Sequence, residues 1–507
     1  MKIRYILIAF TIALLSILVG LQLLKAETLP QINKVEQNLY IRETEEDSNP
    51  PIKEFNIATK VLDWDFGKGT MEQVWTYNGT VPGEEIRVTE GDTVKVNLHN
   101  TLPEPVTIHW HGMVLPNTMD GVAGLTQNAV KPGEMFTYEF IANKAGTYWY
   151  HSHQDSANQV DKGLYGAFVI EKKEISYDQD FVLMLDEWSL PIDINTFLTN
   201  DDQEVNYDQL EDTPLLGTTL DISPSFGDSD TEMLYNAFTV NGKLFPDIQP
   251  ILVNQGETVR LRIINSGYMK HWLDFGKQSY KIVAADASDI QNPILTTNIL
   301  EIAPSERIDI EFEAENKGLW YLQSADLDFA SSDMRVPIII DGSNHAAPQK
   351  IDYKKDILRP TEYKTMDPLF LKDDIPTFEY EMILNADVKW GEGLQFTINE
   401  KAFPETIPLK VNEGDLVKVK MINESIYDHP MHLHGHPFQV ISKNGNPLEQ
   451  ALIKDVINIL PGEEYEIMFR ADNPGHWMFH CHDLLHAEGG MKTTVKYNDY
   501  TVPYLLN

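Results

Sequence analysis

Short runs in which apolar and polar residues alternate fill the chain from about residue 56 to the end. The runs are rich in Val, Ile, Tyr and Phe, and Gly, Pro, Asn or Asp residues bound them. This pattern is typical of short antiparallel β-strands. Long helical periodicity is confined to an N-terminal apolar run and a short turn at 483–485. The pattern therefore predicts an all-β chain of Greek-key β-sandwiches, preceded by an apolar helix.

Three short sequence motifs with this pattern each occur three times along the chain. The first begins at Asn78, Asn241 and Asn399, with spacings of 163 and 158 residues. The second begins at Pro132, Pro304 and Pro461, and the third at Gly146, Gly318 and Gly475. Such repetition predicts three copies of one domain, which we place at 56–173, 176–343 and 360–507. We expect a tether at 27–55, a linker at 344–352 and a surface excursion of the middle copy at 200–231.

Ten of the fifteen histidines fall into four short clusters. The first copy holds His109-Trp-His111 and His151-Ser-His153, and the third holds His429-Pro-Met-His432-Leu-His434 and His480-Cys-His482-Asp-Leu-Leu-His486. The middle copy has lost these residues, because its corresponding positions are His271-Trp-Leu273 and Leu322-Gln-Ser324. We therefore expect a metal centre built by the first and third domains, with the second as spacer and wall. The remaining histidines, which we interpret as structural, are His99, His271, His345, His436 and His476.

Strand geometry divides these ligands between two centres. Residues i and i+2 of a strand face the same side, whereas residue i+1 faces away. Each His-x-His pair is thus expected to aim two imidazoles at one point. Cys481 is expected to face away from His480 and His482, so two metal centres must flank this strand.

The two centres differ in their ligands. Cys481 with His429, His486 and Met491 provides a thiolate, two imidazoles and a thioether, the ligand set of a blue-copper electron-transfer site. The eight histidines that remain for the second centre are His109, His111, His151, His153, His432, His434, His480 and His482. Eight neutral imidazoles suit about three borderline metal ions with open positions. Copper is the obvious occupant, because neither closed nor catalytic zinc sites explain a two-sided strand.

With these motifs in order, the chain from about residue 56 to its end resembles the three-domain multicopper oxidases, the family of laccases, ascorbate oxidase and bacterial copper-resistance oxidases. The resemblance implies cupredoxin-like domains and four copper ions, one type 1, one type 2 and two type 3. It implies that type 1 copper is bound by His429, Cys481, His486 and Met491. It further implies that type 2 copper is bound by His109 and His432. The type 3 ligands that it implies are His111, His151, His153, His434, His480 and His482.

The resemblance also concerns two acidic positions. Asp120, in Met119-Asp-Gly121, resembles the family's acid near the trinuclear cluster, which implies a proton donor to reduced oxygen. Many bacterial relatives carry an acid directly after the histidine that matches His486, whereas this chain has Ala487 followed by Glu488. Whether Glu488 replaces that acid depends on whether its side chain turns inward.

The N-terminal sequence predicts export. Lys2 and Arg4 precede an apolar run at 5–24, which is long enough to cross a bilayer as a helix. The protein is therefore expected outside the cytoplasm, secreted or anchored through residues 5–24. A signal peptide and an anchor both remain open, and a poor match of residues 24–26 to a cleavage site favours the anchor. The single cysteine excludes an internal disulfide. The net charge of −37 disfavours nucleic acid as a partner; it is explained by a solvated acidic surface that aids solubility, or else it favours the approach of cations.

Together these features predict an enzyme that takes single electrons from a reducing substrate and delivers four to dioxygen, making water. The expected donors are phenols, aromatic amines or low-valent metal ions. The sixteen methionines form no Met-rich cluster, which disfavours a copper-detoxifying version. Two alternatives are a copper-binding electron carrier that does not reduce oxygen and a copper nitrite reductase. The carrier leaves eight additional histidines unexplained, and the reductase needs no type 3 pair.

Overall fold

The computed structural model describes residues 51–190, 235–326, 334–342, 351–363, 366–371, 374–389 and 393–503. All of these residues belong to one compact unit. The predicted apolar helix, most of the tether and linker, and the excursion at 200–231 lie outside the described residues. Within the described ranges, no helix is long and apolar enough to cross a bilayer.

Strands account for most of the described chain. In the first repeat they are β1 (Ile52–Gly67), β2 (Thr70–Tyr77), β3 (Gly83–Thr89), β4 (Thr93–His99), β5 (His109–His111), β6 (Met135–Ile141), β7 (Gly146–His151) and β8 (Tyr165–Glu171). In the second they are β9 (Gln179–Trp188), β10 (Ala237–Val240), β11 (Ile251–Val253), β12 (Thr258–Asn265), β13 (His271–Asp274), β14 (Tyr280–Ala285), β15 (Ser288–Asp289), β16 (Leu295–Thr296), β17 (Ile299–Ile302), β18 (Arg307–Glu313), β19 (Gly318–Ser324), β20 (Arg335–Ile340) and β21 (Ile357–Leu358).

The remaining strands lie in the third repeat. Its strands are β22 (Phe378–Lys389), β23 (Gly393–Ile398), β24 (Leu409–Val411), β25 (Leu416–Asn423), β26 (His429–Leu433), β27 (Phe438–Lys443), β28 (Asn446–Lys454), β29 (Val456–Ile459), β30 (Glu464–Arg470), β31 (His476–Cys481) and β32 (Lys492–Tyr497). The described α-helices are short and comprise α1 (Ser156–Asp161) and α2 (Leu484–Glu488). In the same described ranges, 3₁₀ turns span Asn117–Met119 and Pro360–Glu362.

The three repeats share one strand topology. One sheet of each repeat contains the order β2-β1-β4-β6, β10-β9-β12-β18 or β23-β22-β25-β30. The other sheet contains the order β3-β8-β7-β5, β11-β20-β19-β13 or β24-β32-β31-β26. Each repeat thus has two sheets built in the same way, and the predicted all-β class of three cupredoxin-like sandwiches is confirmed.

Parallel strand pairs occur in every repeat. β1 lies parallel to β4, β9 to β12 and β22 to β25. The expectation of antiparallel strands does not hold at these pairs, because alternation reports which face a side chain takes and not the direction of the neighbouring strand.

Two strands lie beyond the domain limits suggested by the sequence. β1 begins at Ile52 and pairs with β4 from its first residue, ahead of the predicted start at 56. β21 follows the predicted end of the middle domain at 343, yet it pairs with β17 of that domain. The exact domain boundaries stay a prediction.

Alternation also decides which side chains reach the core. Val94, Val96 and Leu98 of β4 are fully buried, whereas the residues between them are partly exposed. A one-residue shift would turn every one of these side chains to the other face. The same two-residue period fixes the direction of the histidine side chains on β5, β7, β26 and β31.

Removing a core side chain should destabilise the fold far more than removing an exposed one. Ile467 of β30 is fully buried, whereas Ile375 is 83% exposed. We expect Ile467→Ala to cost about 2–5 kcal/mol of unfolding free energy and Ile375→Ala less than about 0.5 kcal/mol. Thermal unfolding of the copper-free protein, followed by circular dichroism, checks this, and equal midpoints for the two variants would contradict the packing described.

Candidate metal centre

The clustered histidines lie on strands that pair within their sheets. In the first repeat, β5 pairs with β7 and sets His109 opposite His151. In the third repeat, β26 pairs with β31 and sets His432 opposite His480. Residues directly opposite each other on paired strands have neighbouring side chains. Each of the two sheets therefore presents a row of imidazoles.

The two rows meet face to face. The ring of His109 stacks on that of His434 with centroids 3.9 Å apart, and the ring of His111 stacks on that of His432 at 3.8 Å. The ligand atoms gather in triplets, each within 4.8 Å, which are His109-His111-His432, His111-His151-His482 and His153-His434-His480. The structure thus brings together all eight histidines that the sequence assigns to the second centre.

The expectation that each His-x-His pair aims at one point holds for His109 and His111, which share a triplet, and is wrong for the other three pairs. His151 and His153 fall into different triplets, as do His480 and His482. Residues i and i+2 of a strand lie about 7 Å apart along it, so the two rings share a triplet only where they converge, as those of His109 and His111 do. Each imidazole instead joins rings from neighbouring strands, so the pairs face one cavity and divide between its metal positions.

Hydrogen bonds fix which nitrogen of a ring faces the cavity. The Nδ1 atoms of His109, His151 and His432 each donate to a backbone carbonyl oxygen, at 2.7, 2.9 and 2.8 Å. Their Nε2 atoms are buried and have no hydrogen-bond partner among the described residues. Buried polar atoms without partners are rare and costly, whereas a metal-binding histidine typically donates its other N–H to an oxygen. These rings therefore fit metal ions in the cavity.

Protonation favours the same conclusion. Burial, together with neighbouring imidazoles, lowers the pKa of His111, His432, His434 and His482 well below the ordinary value. The rings are thus neutral at ordinary pH, which is the form that binds metal. The Nε2 atoms of His434 and His480 lie 3.0 Å apart, so their lone pairs converge on one position.

Cys481 forms a second centre on the other face of β31. Its Sγ atom lies 3.7 Å from the Nδ1 atoms of both His429 and His486. The opposite ring nitrogens contact oxygens, since His429 Nε2 lies 2.8 Å from Ser425 Oγ and His486 Nε2 lies 3.3 Å from Asp483 Oδ2. Both Nδ1 atoms therefore face the sulfur.

The chain after Cys481 positions the remaining ligands. Asp483 caps α2, because its side chain accepts from the N–H groups of Leu485 and His486. Met491 is fully buried, and its carbonyl oxygen accepts from the N–H of Cys481 at 3.0 Å. Burial raises the pKa of the Cys481 thiol, so a cation is needed to hold it as thiolate. One thiolate and two imidazoles are donors that suit copper, and the thioether of Met491 stays a prediction from the sequence.

Three protein-family sequence models, each described as multicopper oxidase, match the chain at residues 59–175, 198–337 and 379–500. Together they cover most of the chain and include both sets of ligands. The chain belongs to the multicopper oxidase family. The oxidase is thus a copper-dependent oxidoreductase that couples one-electron oxidation of a reducing substrate to four-electron reduction of dioxygen. This assignment does not support the electron carrier or the nitrite reductase.

Relatives of known name and structure agree with this family. Multicopper oxidase MmcO of Mycobacterium tuberculosis is 28% identical over 442 residues, which cover 85% of this chain and 84% of MmcO. Copper resistance protein A of Escherichia coli is 24% identical over 560 residues, covering 84% and 90%. Among solved structures, Fet3p, a multicopper oxidase that functions in iron import, superposes with a TM-score of 0.73 at 21% identity, covering 90% of this chain and 93% of Fet3p.

Asp120 lies directly behind the histidines of the oxidase. Its Oδ2 atom is 3.0 Å from His434 Nδ1, and its Oδ1 atom is 3.2 Å from His109 Nδ1. The carboxyl group is buried, and burial raises its pKa. Asp120 therefore contacts ligand rings of both the first and third repeats and holds a proton more readily than an exposed aspartate does.

Glu488 does not turn inward. Its side chain is 61% exposed and lies 3.6 Å from Lys492 Nζ. The preceding Ala487 is buried and apolar. The side chain of Glu488 therefore does not supply an acid to the buried ligands.

His271 shows what replaced metal binding in the middle repeat. Its Nε2 atom contacts Glu187, and its Nδ1 atom lies 3.0 Å from Asp326 Oδ2. Burial favours the neutral ring, yet the two carboxylates outweigh it and raise the pKa of His271 to about 10. An imidazolium between two carboxylates thus occupies the position that the predicted ligand His109 has in the first repeat.

Several residues that contact the ligands escaped prediction. Asp483 directly follows the last histidine of the cysteine motif, so its place in the motif was a usable signal. Ser425 and Asp455 contact His429 and His432 respectively. Neither residue belongs to a metal-ligand motif in the sequence. The tertiary fold alone brings these residues to the rings, so no sequence signal could have identified them.

Replacing the sulfur should remove one centre and leave the other. We expect Cys481→Ser to abolish the intense blue absorption, because a hydroxyl is a harder and weaker copper ligand than a thiolate. The variant should keep about three of the four copper ions, since the eight histidines do not depend on the sulfur. Copper analysis and visible spectroscopy check this. The control is His476→Gln, a half-buried histidine outside both centres, which should keep all copper.

The charge on His271 should make stability depend on pH. A folded-state pKa of about 10, above the ordinary value of 6.5, contributes stability that is complete below pH 6.5 and disappears as pH rises through 10. Urea unfolding of the copper-free wild type and of His271→Gln should therefore differ most in acid and converge in alkali. A constant difference across this range would show that the ring is not charged.

Proposed function

We propose that this oxidase is of laccase type and oxidises phenols, aromatic amines or low-valent metal ions at the Cys481 centre. The proposal rests on one observation, which is that the side chain of Cys481 faces away from the side chains of His480 and His482. The sulfur lies with His429 and His486, whereas the rings of His480 and His482 belong to triplets on the other side. One covalent segment thus links an electron-entry site to an oxygen site.

The proposed ligands follow this division. His429, Cys481, His486 and Met491 hold type 1 copper, and His109 and His432 hold type 2 copper. The type 3 pair is held by two triplets, which are His111, His151, His482 and His153, His434, His480. The grouping of ligand atoms within 4.8 Å supports both triplets. When bound, copper supplies the one-electron chemistry and the binding of dioxygen, which the side chains alone lack.

The entry site lies close to the protein surface. Ile426, shortly before His429 in the chain, is 77% exposed, and Glu488 ends the helix that carries His486. The ring of Phe396 stacks on that of His486 with centroids 3.9 Å apart. The exposed Ile426 and the buried ring of Phe396 give this region apolar surroundings, which favour phenols, while the net charge of −37 favours metal cations. Both donor classes therefore belong to the proposal.

The location is part of the same proposal. The apolar run at 5–24, with Lys2 and Arg4 before it, supports export across the membrane and anchoring through this segment. Fractionation of cells that produce the full chain tests the anchor. Activity in the membrane fraction is expected, and release of the whole activity into the medium would favour a cleaved signal.

Oxygen uptake with a panel of donors tests the activity. The copper-loaded protein should consume oxygen with phenolic substrates, and it should show an intense blue band with a near-ultraviolet shoulder. Fe(II), Cu(I) and Mn(II) complete the panel and identify metal oxidation. No uptake with any phenol or metal would overturn the proposal.

Asp120 is the proposed source of protons for reduced oxygen. Its burial beside His109 and His434 keeps a proton available next to the eight histidines. Asp120→Asn preserves the size of the side chain and should lower kcat by about 100-fold, with unchanged copper content. The control Glu488→Gln alters an exposed acid and should retain wild-type oxygen uptake. Equal kcat for wild type and Asp120→Asn would remove Asp120 from the mechanism.

A further inference from the structure

A fully buried arginine of the middle repeat contacts both other repeats. The guanidinium of Arg307 pairs with Asp455 of the third repeat through two bonds, Nη1 to Oδ1 at 2.6 Å and Nη2 to Oδ2 at 2.5 Å. Its Nε atom donates to the carbonyl oxygen of Thr147 in the first repeat at 3.2 Å. A planar guanidinium with two parallel bonds fixes the orientation of its carboxylate partner.

Asp455 in turn contacts histidines of the eight-histidine cavity. Its carbonyl oxygen accepts from His432 Nδ1 at 2.8 Å and from the N–H of Leu433 at 3.1 Å. Its Oδ1 atom lies 3.5 Å from His111 Nε2. The residue that Arg307 holds thus sets the direction of one ring and borders another.

Further buried charges hold the same stretch of backbone. Asp286 accepts from the N–H groups of Asp455 and Val456, at 3.4 and 3.3 Å. Lys454 Nζ lies 2.9 Å from Asp286 Oδ2 and 2.6 Å from Glu306 Oε1. All these side chains are buried, so water does not screen the interactions. The carbonyl that orients His432 is therefore fixed on both sides along the chain.

Gly112 makes room for this pair beside the first motif. It directly follows His111 and has a φ of +83°, which favours glycine. A Cβ atom at this position would lie 2.8 Å from Asp455 Oδ2. The glycine that follows the His-x-His motif is thus needed where the arginine–aspartate pair approaches His111.

We propose that Arg307 is a positioning residue for the oxygen-reducing centre and acts through Asp455 on His432 and His111. The inference rests on the proposed assignment of these histidines as copper ligands. It also gives the middle repeat, which contributes none of the proposed ligands, a direct part in copper binding. Loss of a partner that orients a ligand typically costs about 10–100-fold in metal affinity or activity.

Two substitutions of Arg307 test the inference. Arg307→Met removes the guanidinium but keeps a long side chain, and Arg307→Lys keeps the charge but lacks the two parallel bonds. Under titration with a copper chelator, Arg307→Met should lose type 2 copper at about 10–100-fold lower chelator concentration than wild type. Its type 2 electron paramagnetic resonance signal should change, whereas its blue absorption per chain should not. Arg307→Lys should show the same changes, reduced in size.

Arg262→Met is the matched control. Arg262 is a second buried arginine of the middle repeat, pairs with Asp309 at 3.0 Å and reaches Thr147 Oγ in the first repeat at 2.8 Å. Its hydrogen bonds go to Asp180, Asp309, Thr147 and Tyr177 and not to a histidine of the triplets. The control should keep wild-type copper retention and the wild-type type 2 signal, because it loses a buried contact between repeats without disturbing Asp455.

The possible results separate the inference from the function on which it rests. Wild-type copper retention and an unchanged type 2 signal in Arg307→Met would overturn the inference, as would equal losses in Arg307→Met and Arg262→Met. Should Arg307→Met prove insoluble, Arg307→Lys is judged by the same two measurements. A wild-type protein that lacks both blue absorption and about four copper ions would instead refute the proposed function.

Discussion

The two-residue period of one strand sets the layout of the whole site. At the end of β31 the sulfur of Cys481 joins His429 and His486 on one face, whereas the rings of its two neighbours join other histidines on the opposite face. No side-chain rotation can bring all three to one side, because successive Cβ atoms of a strand point to opposite faces. The sheets that carry the other histidines are therefore placed so that their rings reach either the sulfur on one face of β31 or the two imidazoles on the other.

Local periodicity explains what the sequence could predict. The repeated motifs predicted the three sandwiches, and the histidine clusters predicted which rings share a cavity. Both predictions succeeded because they depend on alternation along single strands. Alternation carries no information about strand direction, so the parallel pairing of β1 with β4 was missed. It also did not predict that His151 and His153 separate into different triplets, since this depends on rings from other strands.

Features that depend on the tertiary fold were beyond the sequence. The outward direction of Glu488 follows from the position of α2, and the approach of Arg307 to Asp455 joins residues far apart in the chain. No spacing rule connects such residues. Asp120 is an intermediate case. Resemblance to a family was the only reason to predict a role for it, and its contacts with His109 and His434 now give that prediction a physical basis.

The separation of the histidines along the chain has a consequence for how the protein matures. Residues 109–153 and 432–482 each contribute four of the eight rings, so a chain without its last part has only half of them. Contacts between such distant segments form late in folding, since closing long loops is entropically costly. An incomplete chain that lacks the third repeat therefore cannot hold a full complement of ions at this cavity.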